Sequence, residues 1–370
     1  MSLRRARPQP IADRQVKSAV MTPRKPFFVP YAVALTLALL PGAAAALGEQ
    51  DIAALMLLRP SVLKIEAFDD RGNISVGTGV AVGPGIIATA CHVTARATTI
   101  RVVSNGERMQ VSSQRAQVQR DLCLLDVPGA SQVPVVELRE TPLKAGEELV
   151  ALGYILGAAP RVSNGRVLRL HPYDGGRIIQ STTPFTSGAS GGGLFDRENR
   201  LVGVMTFKFR SGTDNQFSLP VRWIREAMTL PEGPEVTPLS GRAFWDAAEA
   251  ALPPFLQVLR LQAESRWSEL ESRARGWIGG NADDASAWHA LGRAQVAQGR
   301  SGDGVGSLLR ANAIDTENPV FLSDLAVAQR QQKDEAGYAL TRSRLEQLAP
   351  AAVTALDERL DRCGSTVPAC

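Results

Sequence analysis

The sequence predicts a multidomain chain, an all-β domain followed by an all-α domain. Three observations carry this. Between residues 60 and 230, short runs of alternating or wholly apolar residues are separated by turns rich in Gly, Pro, Asn and Asp. Residues 231–241, P-E-G-P-E-V-T-P-L-S-G, form a Pro-rich linker. Beyond it the chain is rich in Ala, Leu, Arg and Glu, with apolar residues at helical spacing. A length of 370 residues exceeds one ordinary domain. The expected division is a leader at 1–46, a β domain at 47–230, the linker at 231–241 and a helical domain at 242–370.

In chain order, residues 51 to 59 read as a short amphipathic helix. Pro60 ends it. Strands are then expected at Ser61–Phe68, Ile74–Val82, Ile86–Ala90, Thr99–Val103, Met109–Ser112 and Leu122–Val127. A second group follows at Glu148–Tyr154, Gly165–Leu170, Arg177–Gln180, Leu201–Phe209 and Gln216–Leu219, and Val221–Met228 reads as a closing helix. In the C-terminal region Trp288, Leu291, Gly292, Leu308, Ala311 and Asp315 fall at the large, small and turn positions of a helix-pair repeat. A shift of 34 residues reaches Leu322, Leu325 and Ala326, and Leu270, Ala274 and Trp277 read as the second helix of an earlier unit. The pattern resembles tetratricopeptide repeats, from which Gln295 and Gly304 depart. A generic helical bundle is the plainer alternative.

Composition is that of a globular protein, 44% apolar and 21% charged, with a formal net charge of +4. The excess sits in the first 46 residues, which carry Arg4, Arg5, Arg7, Arg14, Lys17, Arg24 and Lys25 against Asp13 alone. The remaining 34 basic and 36 acidic residues give no nucleic-acid footprint. In the leader, Arg24 and Lys25 precede an apolar run from Phe27 to Leu40. Pro41-Gly42 breaks it, and Ala43 to Ala46 supply small residues. This is the pattern of a secretory signal peptide cleaved after Ala44 or Ala46, so a periplasmic or secreted location is expected. An uncleaved leader would be the sole route to a membrane.

Three short stretches carry chemistry. T-A-C-H-V presents His92, R-D-L-C-L-L presents Asp121, and G-A-S-G-G-G-L presents Ser190. A free Ser hydroxyl is a weak nucleophile at neutral pH and needs a base to take its proton. Imidazole suits that task because its pKa lies near operating pH. A buried carboxylate fixes the imidazole tautomer and stabilises its cation. Glycines beside the Ser free the backbone to aim N–H groups at one point. Asp126 competes with Asp121 for the acid role, but it follows its strand instead of opening it. The other two histidines read as bystanders, His171 on a surface turn and His289, next to Trp288 in the repeat, as structural.

Together the motifs resemble those of trypsin-like serine peptidases, in particular the bacterial HtrA-type branch, over residues 60–230. The resemblance implies a chymotrypsin-like double β-barrel, two six-stranded barrels with the active site between them. It implies His92 as general base, Asp121 as its orienting partner and Ser190 as nucleophile, with the N–H groups of Gly188 and Ser190 as the oxyanion hole. It implies polypeptide substrates and neither cofactor nor metal. Ala189 replaces the Asp that zymogens of the family keep before the nucleophile, so activation by N-terminal clipping is not expected. Pro184 takes the position at the base of the primary pocket, with Phe217 and Ser218 along its wall. The expected preference is therefore a small or medium apolar side chain before the scissile bond. Four cysteines suit an exported chain. If His92 and Asp121 touch, Cys91 and Cys123 lie on adjacent strand ends, which favours the pairs Cys91–Cys123 and Cys363–Cys370 among three connectivities. Buried apolar filling is the alternative role for Cys91 and Cys123.

The leading expectation is an exported serine endopeptidase whose helical repeats bind a protein partner. The alternative is a catalytically inactive adaptor that works through its repeats. An esterase using the same triad is a third reading.

Overall fold

The computed structural model describes residues 49–209 and 215–363. The leader, Cys370 and the side chain of Cys363 lie outside the described residues, and with them the proposed signal peptide and the Cys363–Cys370 pair.

Helix α1 (Glu49–Leu58) leads into a short turn and then thirteen strands. The first seven are β1 (Val62–Phe68), β2 (Ile74–Gly83), β3 (Ile86–Ala90), β4 (Thr99–Ser104), β5 (Glu107–Gln110), β6 (Ser113–Gln117) and β7 (Leu122–Asp126). They form one antiparallel sheet in the order β5-β4-β1-β2-β3-β7-β6. Helix α2 (Cys91–Thr94) interrupts it after β3. The other six strands are β8 (Glu148–Ile155), β9 (Ala159–Tyr173), β10 (Gly176–Ser181), β11 (Gly193–Phe195), β12 (Leu201–Lys208) and β13 (Gln216–Pro220). These close into a barrel in the order β10-β13-β12-β11-β8-β9. Helix α3 (Val221–Met228) follows and buries Trp223 and Ile224.

The chymotrypsin-like double-barrel class holds, with one correction. The first lobe is a seven-stranded half-barrel, not a closed six-stranded one, and its ladder ends at β5 and β6. The reason lies in what β6 bonds. Gln114 N–H donates to the Pro234 carbonyl, Ser113 bridges to Glu235, and the Gln114 side chain donates to Thr237. The Pro-rich stretch thus takes the edge that closure would need.

Among the described residues seven helices follow: α4 (Pro254–Ala263), α5 (Trp267–Gly280), α6 (Ala285–Ala297), α7 (Ser301–Ile314), α8 (Pro319–Gln332), α9 (Glu335–Leu348) and α10 (Pro350–Cys363). Three start with a side-chain cap. Asp284 accepts from Ser286 N–H, Asn318 from Val320 N–H and Asp334 from Gly337 N–H. The repeat is visible in the boundaries, since α5, α7 and α9 start 34 residues apart, at Trp267, Ser301 and Glu335. At the α6–α7 crossing, a Cβ on Gly292 would lie 3.0 Å from the Gly304 carbonyl, and one on Gly304 3.0 Å from the Gly292 carbonyl. The two backbones touch there, which is why Gly replaces the usual Ala at 304.

One core cluster joins the lobes to the helices. Leu122, Leu124, Phe195, Phe217 and Trp223 from the β region pack in it with Phe244, Phe255 and Leu256 from the region after the linker. Each such buried side chain contributes about 1.5–3 kcal/mol relative to exposure. The helical region is therefore part of the core that supports the second barrel.

Candidate active site

The pairing of β3 with β7 brings the first two motif residues together. Ala90 lies opposite Leu122, and Cys91 N–H donates to the Asp121 carbonyl. His92 stands in the first turn of α2. Asp121 ends a 3-10 turn in a left-handed conformation, φ 60, which aims its carboxylate back at α2. Cys91 and Cys123 are joined by a disulfide across the same strand pair, with Cα atoms 4.9 Å apart.

Asp121 is 1% exposed and its carboxylate is fully engaged. Oδ1 accepts the His92 backbone N–H at 2.8 Å. Oδ2 faces His92 Nδ1 at 2.8 Å and accepts from the Thr206 hydroxyl and from Trp245 Nε1, the last at 3.1 Å. The Nδ1–Oδ2 contact fixes the proton on Nδ1 and leaves Nε2 as the free acceptor. The His92 side chain remains 33% exposed. Asp126, the competing carboxylate, is held elsewhere by Arg115 at 2.6 Å and Ser113 at 2.8 Å.

Ser190 lies on the loop before β11, and Thr206 on β12 links it to Asp121. The Ser190 hydroxyl donates to the Thr206 carbonyl at 3.2 Å, while the Thr206 hydroxyl donates to Asp121. No hydrogen bond joins Ser190 to His92 among the described residues. The loop is anchored by Thr78 of β2, whose N–H donates to the Ser190 carbonyl and whose hydroxyl donates to the Gly188 carbonyl. Gly191 adopts φ +86, and a Cβ there would lie 2.0 Å from the Thr78 carbonyl. Only glycine fits where the Ser190 loop crosses the first lobe. Gly188 is left-handed too, φ +94. The Ser187 carbonyl accepts from Leu156 N–H at 2.9 Å, so peptide planarity turns the Gly188 N–H to the opposite side.

Of the residues expected to form the primary pocket, Phe217 is 0% exposed, its ring among Phe207, Phe209, His171 and Phe255. Ser218 is also buried, and Pro184 is exposed with its carbonyl accepting from Ser163. Phe255 of the helical region lies tilted against Phe217, with centroids 6.3 Å apart. His171 is a correction to the expected surface turn. It is 2% exposed on β9, bonded to Gln180 at 2.9 Å and stacked on Phe255, and burial pushes its pKa down to about 3. His289 is structural as expected, buried against Phe321 and bonded to Asp324.

Thr78, Thr206 and Trp245 were not legible as site residues. Thr78 and Thr206 sit in ordinary strand sequence, and Trp245 lies 124 residues from the Asp121 it bonds.

Residues 77–204 match the profile of the trypsin-like peptidase domain. Mouse serine protease HTRA4 is 28% identical over 186 residues, 45% of this chain and 38% of that protein. The periplasmic serine endoprotease DegP of Escherichia coli K12 is 25% identical over 144 residues, 36% of this chain and 30% of that protein. The anti-sigma-I factor RsgI9 of Acetivibrio thermocellus is 27% identical over 171 residues, 45% of this chain and 24% of that protein. The chain thus spans less than two fifths of the length of these relatives. Among solved structures, a protease from M. tuberculosis in its active form aligns at 21% identity over 51% of this chain and 88% of that chain, TM-score 0.46. The HtrA-type protease AlgW with tripeptide aligns at 24% identity over 48% of this chain and 62% of that chain, TM-score 0.44. Over residues 77–204 the chain resembles the trypsin-like peptidase domain, and the family profile together with the HtrA-type sequence relatives supports a serine peptidase. Among the described residues no helix is long and apolar enough to cross a membrane.

Proposed function

We propose that the chain is an exported serine endopeptidase in which Ser190, His92 and Asp121 hydrolyse peptide bonds, with the helical repeats serving protein binding. The contact between His92 Nδ1 and Asp121 Oδ2 at 2.8 Å, on a carboxylate that is 1% exposed, is the observation that carries this reading. A buried, ionised partner raises the ability of Nε2 to take a proton and compensates the cation that results.

In the proposed reaction the Ser190 hydroxyl first turns from the Thr206 carbonyl toward His92 Nε2. As Oγ bonds to the scissile carbonyl carbon, its proton moves to Nε2 and the carbonyl π pair moves onto oxygen. The N–H groups of Gly188 and Ser190 receive that oxyanion. Collapse breaks the C–N bond, and His92 returns the proton to the leaving amine. Water, deprotonated by His92, then attacks the acyl carbon; the C–Oγ bond breaks, Oγ takes the proton back from His92, and the new carboxyl terminus leaves. Asp121 stays ionised throughout.

Export is proposed from the leader's basic flank and apolar run, and small or medium apolar preference from the absence of a carboxylate at Pro184. The test is hydrolysis of an unfolded protein by wild type and by Ser190→Ala. Cleavage that disappears in the variant supports the endopeptidase. Ester turnover without peptide cleavage favours the esterase, and no turnover of either favours the adaptor.

A further inference from the structure

We propose that Trp245, brought to the cleft by the segment leading into the helical domain, is a positioning residue for the His92–Asp121 pair. This rests on the serine-peptidase reading and extends it to a residue outside the matched domain. Three contacts define its place. The indole Nε1–H donates to Asp121 Oδ2 at 3.1 Å. The indole and imidazole meet edge to face, centroids 5.5 Å apart at 89°. On its other side the indole stacks on Phe207, centroids 5.2 Å apart at 22°.

The segment that carries it is anchored on both sides. Leu239 N–H donates to the Ala95 carbonyl, just past α2. Phe244 is 3% exposed and packs on Tyr173, Phe207 and Trp223. Trp245 is therefore fixed relative to α2 on one side and to the barrel core on the other. Asp121 Oδ2 then has three donors, from His92, Thr206 and Trp245, in a setting closed to water. A buried carboxylate needs its lone pairs met, and each donor limits how far it can rotate away from His92. With a third of the His92 side chain still exposed, the indole braces the ring without covering it.

The test is the pH dependence of fluorophosphonate labelling in wild type and Trp245→Phe. Phe keeps an aromatic face against Phe207 and removes the N–H together with part of the indole ring. Besides Asp121, the charged groups lining the small cavity beside His92 are Arg242 and Asp246, and both are unchanged in the variant. With one donor fewer, the Asp121 carboxylate holds the His92 cation more strongly. The midpoint of the acid limb should move up by about half a pH unit, and the plateau rate should fall about tenfold. Because stability itself falls with acid, each rate is divided by the folded fraction measured by circular dichroism at the same pH, so that partial unfolding leaves the midpoint in place. An unmoved midpoint with an unchanged plateau overturns the positioning role, and so does faster labelling, which would make Trp245 a plug. If wild type itself is not labelled, the peptidase reading fails and this inference fails with it.

Discussion

The Thr78 hydroxyl donates to the carbonyl of Gly188 at 2.7 Å. This ties a strand of the first lobe to the loop that presents Ser190 from the second. The same oxygen accepts Tyr154 N–H at 2.9 Å, and the whole residue is buried. At Ser190 the two lobes are thus joined by one short side chain, together with the backbone bond from Thr78 N–H to the Ser190 carbonyl.

Thr78→Val keeps the shape and removes this link. Two buried backbone groups lose their partner, at about 1–3 kcal/mol each. A lower urea midpoint together with a labelling rate reduced at least about tenfold is expected, since a misplaced nucleophile costs rate steeply. Equal labelling in folded variant and wild type would show that the loop holds its own shape.

The Cys91–Cys123 disulfide closes a loop with a sequence separation of 32 beside His92 and Asp121. Loop-closure entropy puts its contribution at about 4 kcal/mol. Cys91→Ala with Cys123→Ala should lower the unfolding midpoint accordingly, and reductant should shift wild type but not the double variant. Insensitivity of wild type to reductant would contradict the bridge.

Two glycine substitutions in the helical domain should have opposite effects. Gly304→Leu forces apart the α6–α7 crossing, where even a Cβ meets the Gly292 carbonyl, and should cost about 1–3 kcal/mol or more. Gly276→Ala in α5 meets nothing within 4 Å and should stabilise by about 0.5–1 kcal/mol through helix propensity. Thermal unfolding of both variants decides this.

His171 gives stability a defined pH dependence. Its folded-state pKa is lowered to about 3 from 6.5, so within that window the unfolded chain binds a proton that the folded chain does not. Its contribution is complete above pH 6.5 and lost as pH falls, at up to about 1.4 kcal/mol per pH unit. Urea titrations between pH 7 and 5 should show falling stability, with a shallower slope in His171→Phe. An equal slope in both proteins would assign the dependence to other groups.

Most strands were legible because their apolar residues alternate or run continuously between turn residues, as in Ile86–Ala90, a continuous run after the Gly83-Pro84-Gly85 turn. The two that escaped have physical reasons. β11 is three residues long and emerges from the Gly-rich nucleophile stretch. β6 reads as polar, S-Q-R-A-Q, yet Gln114 and Arg115 are buried because the Pro-rich stretch covers that edge. His92, Asp121 and Ser190 could be picked out because each sits in a short motif of sequence neighbours. Trp245, the burial of His171 and the contact of Phe255 with Phe217 depend on the region after the linker. No local pattern encodes those.

The proposed activation of Ser190 by His92 across the lobe junction is open to mass spectrometry of the protein after fluorophosphonate treatment. One adduct is expected, on the peptide containing Ser190, absent in Ser190→Ala and strongly reduced in His92→Ala. Folded protein that gains no adduct, or gains one on another residue that persists in His92→Ala, rules that activation out.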